Sequence, residues 1–365
     1  MSRTSIQKMT RRDFINLFVA GIGAINIQSI SQYLDLESVN DINLGRITVG
    51  KVDLKTRPDI DSSTVGARYQ DEIIPWLREV IGKNPFRSNQ RWIETPDGYL
   101  WAPQIQPVRN LPSQPVEVLP DSSLGPGMWV EVCVPFVDLI LDNPPARAPW
   151  LLNRINSGLQ IRWYYSQIAW VDMIRTDAEG QTWYRLNERF GYGDIFWGKA
   201  ESLRPLSPDE LAPLSSGIEN KRILVDITRQ TLSCFEDDRE VYFARVSTGA
   251  LYNINGARVD AWGTPLGQHQ IWRKAISLPL SGGSAAAGWD LPAVGWISLF
   301  VGSGVAIHST YWHNNYGVPT SRGCVNARPE DSKWIFRWTM PTVPSDPGDM
   351  TVSMPGGTLI EVIES

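Results

Sequence analysis

The chain has 365 residues, a formal net charge of −5 at neutral pH and 20% charged residues. This length predicts two to three domains, each of about 100–200 residues. The acidic balance argues against a nucleic-acid-binding protein, because such proteins normally carry a basic patch. The cysteines at positions 133, 234 and 324 are odd in number and far apart, so they predict no disulfide framework.

An arginine pair precedes an apolar run at the start of the chain. Arg11 and Arg12 stand just before the run from Phe14 to Ile27, which two glycines and an asparagine interrupt. This layout resembles a twin-arginine export signal, and the interruptions make the run marginal as a membrane-spanning helix. We therefore predict that residues 1–32 are an export signal or, if uncleaved, an anchor, and that the protein works in the cell envelope (cell wall or periplasm). The alternative is a buried amphipathic helix.

Short strand signals separated by polar turns fill residues 44–110. Segments 46–49, 52–58 and 98–101 are examples. Five or so short strands fit a small barrel, and the pattern of leucine, arginine, proline, tryptophan and Gly-Tyr resembles the bacterial SH3-like domain. Residues 111–126 are rich in proline and are interpreted as a linker.

A second β-rich block covers residues 127–206 and resembles a more divergent SH3-like domain. A turn signal at residues 177–180 predicts a hairpin within it, and a second linker is predicted at residues 207–217. The resemblance implies binding of peptides or cell-wall strands through aromatic surfaces. The alternative is that most of the sixteen tryptophans fill barrel cores, since small domains need large side chains to bury enough area.

The last region, residues 218–365, is also predicted to be mainly strand. Alternating segments between residues 222 and 249, with an acidic turn, predict an antiparallel meander. One helix is predicted to begin at Pro329, because acidic residues follow it and Trp334 and Trp338 then share a face.

Cys324 is the cysteine with a candidate chemical role. Cys133 and Cys234 lie in strand-like segments and are interpreted as small core residues. A free thiol has a pKa of about 8.5, so a cysteine nucleophile at neutral pH needs a nearby base, and His308 supplies an imidazole sixteen residues earlier. Gly323 frees the backbone beside the sulfur, so that consecutive N–H groups can face an oxyanion.

The surrounding residues resemble a family signature. Residues 307–310 (Ile-His-Ser-Thr) and 321–326 (Ser-Arg-Gly-Cys-Val-Asn) resemble the signature of the L,D-transpeptidases, the YkuD-type catalytic domain. Residues 264–267 resemble the family's Thr-Pro-x-Gly element, and His269 stands where an aromatic residue is usual, so we expect it to stack or to lie in the core. The predicted fold class is mainly β: two small SH3-like barrels followed by a β-rich L,D-transpeptidase catalytic domain with one principal helix.

The resemblance also implies a role for each site residue. Cys324 attacks the third residue of a peptidoglycan stem tetrapeptide, releases D-alanine and forms a thioester, while His308 takes the thiol proton and the Ser309 carbonyl orients the imidazole. The implied oxyanion hole consists of the backbone N–H groups of Arg322, Gly323 and Cys324. The side chains expected to bind substrate are those of Ser321, Arg322, Asn326, Tyr311 and Trp312.

The acceptor stays open at this point. An amine of another stem peptide gives a 3→3 cross-link, water gives an L,D-carboxypeptidase, and a protein amine gives an anchoring reaction. No cofactor is expected. His308 and His313 are five residues apart, but no third ligand lies at a supporting spacing, so we predict no metal site.

Two other classes of protein share some of these features. A papain-like wall endopeptidase also combines SH3-like modules with a Cys–His pair, but there the cysteine precedes the histidine. A non-enzymatic cell-wall-binding scaffold with a decayed site is disfavoured, since His308, Gly323 and Cys324 are all present.

Overall fold

The computed structural model describes residues 43–252, 257–282 and 289–365. The predicted export signal at residues 1–32 lies outside these ranges. The described chain is mainly β, as predicted, and divides between residues 107 and 108 into two compact units. In the described part of the chain, none of the helices combines the length and the apolar character needed to cross a membrane.

The described part of the first unit contains eight short strands, more than the five or so that the sequence predicts. They are β1 (Leu44–Ile47), β2 (Lys51–Lys55), β3 (Thr64–Tyr69), β4 (Ile73–Pro75), β5 (Arg78–Ile81), β6 (Arg91–Thr95), β7 (Gly98–Trp101) and β8 (Ile105–Val108). They form two sheets, in the orders β4-β1-β8 and β3-β2-β7-β6-β5. Val52 and Leu54 of β2 are buried while Lys51 and Asp53 are exposed, which is the alternation of a half-buried strand. The assignment of residues 44–110 to an SH3-like domain stays a prediction.

The second unit begins with a seven-stranded antiparallel sheet. Its elements are β9 (Met128–Val132), β10 (Phe136–Leu141), α1 (Pro149–Asn156), β11 (Arg162–Tyr164), β12 (Ile168–Thr176), β13 (Thr182–Asn187), β14 (Ile195–Lys199) and β15 (Leu203–Pro205). The strand order is β11-β10-β14-β13-β12-β9-β15. The predicted linker at residues 111–126 runs against this block, since the Ser113 N–H donates to the Glu201 carbonyl at 2.8 Å.

Tryptophans serve mainly as core residues. Trp163, Trp296 and Trp338 are all at most 1% exposed. Among the tryptophans whose side chains the structure describes, none is classed as exposed. The core-filling interpretation is therefore the better one for these side chains.

The rest of the second unit holds two five-stranded sheets. Their elements are α2 (Pro208–Leu211), β16 (Lys221–Asp226), β17 (Thr231–Glu236), β18 (Arg239–Arg245), β19 (Gly267–Gln270), β20 (Arg273–Gly282), β21 (Trp289–Val301), β22 (Val305–Ser309), β23 (Val325–Ala327), α3 (Pro329–Trp338), β24 (Asp349–Thr351) and β25 (Leu359–Ile363). The orders are β18-β17-β16-β25-β19 and β23-β22-β21-β20-β24. The predicted meander is confirmed as β16-β17-β18, and β25 adds parallel to β16, with Arg222 opposite Leu359.

The predicted helix is confirmed as α3, the one α-helix in the described residues of 218–365. Ile335 and Trp338 enter the core that the two five-stranded sheets share. Trp334 stacks on Tyr242, with ring centroids 4.0 Å apart. Lys274, which is 1% exposed, donates to the carbonyl of Thr339 at 2.7 Å and to two neighbouring carbonyls at the end of the helix. The buried Lys274 side chain therefore satisfies carbonyls at and just beyond the C-terminal end of α3.

The block at residues 127–206 and the sheet that contains β20 and β21 share one core. Trp129 and Ile168 pack in the same buried cluster as Ile276, Trp296 and Phe336. These two parts of the chain lie in one compact unit, residues 108–365. The predicted domain boundaries within it stay a prediction.

The predicted linker at residues 207–217 belongs to the same packing. It contains α2, whose Ser207 and Glu210 form a capping box, and Leu211 is buried in the shared core. This segment is therefore part of the folded unit and not a free hinge.

Candidate active site

Two parallel strands bring the predicted catalytic residues together. His308 near the end of β22 lies opposite Asn326 of β23, and Ile307 lies opposite Val325. Directly opposed residues in a parallel pair share a face, and so do residues two apart along an extended strand. Cys324 immediately precedes β23 and lines the same cleft as His308 and Asn326, while Ile307 and Val325 enter the core.

His308 is held as a neutral base. Its Nδ1–H donates to the Ser309 carbonyl at 2.8 Å, so Nε2 keeps its lone pair. The residue is 2% exposed, and this burial lowers the pKa of His308 to about 4. The Ser309 carbonyl thus occupies the predicted orienting position, and the Ser309 hydroxyl accepts the Gly295 N–H at 3.2 Å, which ties β22 to β21.

Cys324 rests as a thiol. Burial raises the pKa of Cys324 to about 11, and the pKa of Cys133 is also raised to about 11 by its burial. Cys324 differs from Cys133 and Cys234 in lining the cleft, whereas those two lie in hydrophobic cores as predicted. Access to a ligand, and not a lowered resting pKa, therefore distinguishes Cys324.

The turn before Cys324 is closed by Ser321. The Ser321 hydroxyl donates to the Cys324 carbonyl and accepts the Gly323 N–H at 3.2 Å. Gly323 has φ +119°, a conformation that L side chains rarely adopt. Ser321 lines the cleft as predicted, but its hydroxyl shapes the turn, and the Gly323 N–H is occupied by that hydroxyl and not left free for an oxyanion.

Thr264 supports from behind the loop that carries Cys324. Its hydroxyl accepts the Gly249 N–H at 2.9 Å and donates to the Gly323 carbonyl at 2.8 Å. Thr264 is 4% exposed. The sequence placed this residue in a motif without a role, and the structure supplies one: it fixes the peptide that precedes Cys324.

A cleft of about 240 Å³ surrounds the pair. Its lining consists of Leu280, Leu291, His308, Trp312, Thr320, Ser321, Arg322, Cys324 and Asn326. The guanidinium of Arg322 lies 5.1 Å from the centre of the Trp262 ring, which holds a positive charge at the cleft edge.

Tyr311 and Trp312, the two aromatic residues predicted to bind substrate, lie in different places. Trp312 lines the cleft and lies 5.7 Å from the His308 ring. Tyr311 is 5% exposed and stacks on Tyr164 at 5.9 Å, in the core. His269 packs on Phe300 at 5.6 Å, which confirms the stacking role expected for it.

Sequence reasoning missed Leu280, Leu291 and Thr320 as lining residues. Leu280 and Leu291 lie in long strands whose apolar residues look alike in sequence, so no signal marked them. Within the described ranges, no group of three or more His, Cys, Asp or Glu side chains is placed to hold a metal ion.

Comparisons with known proteins found similar solved structures and one matching family model. Similar solved structures include an L,D-transpeptidase mutant from Enterococcus faecium, 21% identical, with a TM-score of 0.30, covering 40% of this chain and 50% of that one. Another is an L,D-transpeptidase from Mycobacterium smegmatis, 17% identical, with a TM-score of 0.31, covering 52% of this chain and 82% of that one. A third is from Mycobacterium tuberculosis, 13% identical, with a TM-score of 0.29, covering 69% and 98%. The match thus spans half the length of the Enterococcus chain, and no curated protein matches this chain.

The family assignment rests on sequence. Residues 220–360 match the family model of the L,D-transpeptidase catalytic domain, YkuD, and this range includes both segments of the predicted signature. Residues 220–360 of this chain are an L,D-transpeptidase catalytic domain.

Proposed function

We propose that the protein is an exported peptidoglycan L,D-transpeptidase in which Cys324 is the nucleophile and His308 the general base. The observation that carries this proposal is that one cleft is lined by both side chains, His308 from β22 and Cys324 from the residue just before the paired strand β23. The hydrogen bond from His308 Nδ1 to the Ser309 carbonyl leaves Nε2 as the only ring nitrogen able to accept a proton.

Acylation begins from a neutral pair. As the Cys324 sulfur bonds to the carbonyl carbon of the third stem residue, its proton passes to His308 Nε2. The imidazolium then gives that proton to the amine of the fourth residue as the C–N bond breaks and D-alanine leaves. The product is a thioester with His308 again neutral.

The oxyanion is stabilised by a backbone N–H of the loop that carries Cys324. The resemblance implied three N–H groups, but the Gly323 N–H is bonded to Ser321. We assign the oxyanion hole to the Cys324 N–H, with Ser321 and Thr264 holding the loop that presents it. The Arg322 side chain supplies positive charge for a carboxylate of the donor.

Transfer completes the reaction. An amine of a neighbouring stem attacks the thioester carbon, gives its proton to His308, and releases the Cys324 sulfur, which recovers a proton. The 3→3 cross-link is the proposed product. Hydrolysis or transfer to a protein amine uses the same thioester, so the products identify the acceptor.

The test combines a tetrapeptide donor with a carbapenem, the β-lactam class to which the family resemblance points. Peptide mapping by mass spectrometry should find the carbapenem adduct on Cys324 and not on Cys133 or Cys234, which lie in cores. Cys324→Ser should abolish turnover, and His308→Gln should slow acylation while thermal unfolding stays close to that of the wild type. Full turnover by Cys324→Ser, or labelling that avoids Cys324, would end the proposal.

Export and wall attachment are further parts of the proposal. The arginine pair at residues 11–12 supports export by the twin-arginine route, and the SH3-like resemblance of residues 44–110 supports binding to cell-wall strands. Residues 127–206 share a core with the catalytic sheets, so we assign them a supporting role within the catalytic unit.

A further inference from the structure

A second histidine lies beside the catalytic pair and has a defined tautomer. His313 Nδ1 accepts the Asn315 N–H at 3.0 Å. A neutral imidazole carries one hydrogen, so the hydrogen of His313 is on Nε2. Burial and the nearby His308 lower the pKa of His313 to about 3, which keeps the ring neutral.

The Nε2–H of His313 faces Asn326. Nε2 lies 2.9 Å from Asn326 Nδ2 and 3.3 Å from the Thr320 hydroxyl. Two donors, an imidazole N–H and an amide NH₂, then oppose each other. At the same time Asn326 Oδ1 is buried and has no hydrogen-bond partner among the described residues.

Exchanging the two amide atoms of Asn326 resolves this conflict. The oxygen then accepts from His313 Nε2–H, and the NH₂ group takes the place of the unpartnered atom. The oxygen and nitrogen of an asparagine amide are assigned from the hydrogen-bond network, so the network decides between the two orientations.

We propose that His313 is a positioning residue that holds the Asn326 carboxamide by its oxygen and presents the Asn326 NH₂ to the cleft as a donor. Asn326 is 2% exposed, lines the cleft and lies opposite His308. An NH₂ group there selects a carbonyl or carboxylate oxygen of the stem peptide and disfavours a donor. This inference rests on the proposed function, because it concerns the substrate of that same site.

The competing interpretation is a purely local one, in which His313 caps its own turn. Nδ1 bonds the N–H two residues ahead, which an asparagine side-chain oxygen also does in an Asx turn. The two ring nitrogens thus serve two different roles, and two substitutions separate them.

The matched variants are His313→Asn and His313→Gln. Asparagine keeps an acceptor for the Asn315 N–H but is too short to donate to Asn326. Glutamine places its amide nitrogen close to the position of Nε2 and keeps that donor. A buried acceptor that loses its hydrogen-bond donor typically loses enough free energy to slow a reaction that depends on it, here acylation of Cys324, about 10-fold to 100-fold.

The measurement is the rate at which a carbapenem acylates Cys324 in the full-length protein. We expect His313→Asn to acylate about 10-fold to 100-fold more slowly than the wild type, and His313→Gln to keep most of the rate. Equal rates for the two variants, or a slower His313→Gln, would overturn the inference in favour of turn capping.

Two further readouts test the route through Asn326. In a double-mutant cycle, adding His313→Asn to Asn326→Ala should cause no further loss, whereas additive losses would refute the link. Nitrogen-15 NMR of the wild type should show the Nε2–H tautomer of His313, and an Nδ1–H tautomer would refute it directly. If the wild type itself is not labelled at Cys324, the proposed function fails, and that outcome is distinct from equal labelling of the variants.

Discussion

Replacing Thr264 by valine should slow acylation of Cys324, although Thr264 is not among the residues that line the cleft. Valine has nearly the same shape as threonine but lacks the hydroxyl. That hydroxyl bridges the Gly249 N–H at 2.9 Å and the Gly323 carbonyl at 2.8 Å, at a residue that is 4% exposed. The change therefore leaves one buried donor and one buried acceptor unpaired behind the nucleophile loop.

The magnitude follows from those two groups. An unpaired buried hydrogen-bonding group costs about 1–3 kcal/mol, so the pair costs about 2–6 kcal/mol in the native state. Part of this cost lowers the free energy of unfolding. The rest raises the barrier to acylation, because the freed Gly323 peptide no longer holds the Cys324 N–H in place. If about 1 kcal/mol reaches the transition state, acylation slows about fivefold.

The assay measures carbapenem acylation of Cys324 and denaturant-induced unfolding on the same samples. Thr264→Ser is the matched control, because it keeps the hydroxyl and loses only a methyl group. The reasoning is refuted if Thr264→Val acylates within about twofold of the wild type and unfolds within about 0.5 kcal/mol of it.

Three other predictions test different parts of the molecule. A chain beginning at residue 217 should fail to fold, whereas one beginning at residue 108 should fold and react with a carbapenem at Cys324. In the shorter chain Ile276, Trp296 and Phe336 lose their packing partners, and burial of each side chain contributes about 1.5–3 kcal/mol. Cooperative unfolding of the shorter chain would contradict this prediction. The rate of Cys324 alkylation by iodoacetamide should keep rising from pH 7 to pH 10. Burial raises the pKa of Cys324 to about 11, so the thiolate fraction still grows over this pH range. A plateau in the rate below pH 8 would instead show a resting ion pair with His308. Replacing both arginines at positions 11 and 12 by lysine should trap the protein in the cytoplasm, as measured by cell fractionation, and unchanged export would remove the twin-arginine assignment.

The candidate site could be predicted from the sequence because its motifs are local. His308, Cys324 and Asn326 belong to two short motifs whose residue types are tied to their roles, and β22 and β23 bring those motifs together. The helix beginning at Pro329 was equally readable, since its acidic first turn and apolar face are properties of consecutive residues.

Tertiary contacts decided what the sequence did not reveal. Tyr311 and Trp312 are adjacent aromatic residues, yet one stacks in the core and the other lines the cleft. The shared core of Trp129, Ile168 and Trp296 joins positions far apart in the chain, and composition alone does not reveal such contacts, so residues 207–217 were predicted to be a linker. The hydroxyl of Ser321 competes with a substrate for the Gly323 N–H, and only the turn geometry shows which one holds it.

The position of β25 delays the completion of one sheet until the end of synthesis. It lies between β16 and β19, and Arg222 of β16 pairs with Leu359, 137 residues later. At about 5–20 residues per second, a ribosome needs roughly 7–30 s to supply the partner that β16 awaits. Pairing over such a distance is also slow to nucleate. The N-terminal unit, whose strands pair within about 60 residues, has time to fold during this interval. The edge of β16 that will pair with β25 keeps its backbone N–H and C=O groups unpaired for the same time. Nascent chains stalled before β25 should therefore be the species that chaperones bind and proteases cut.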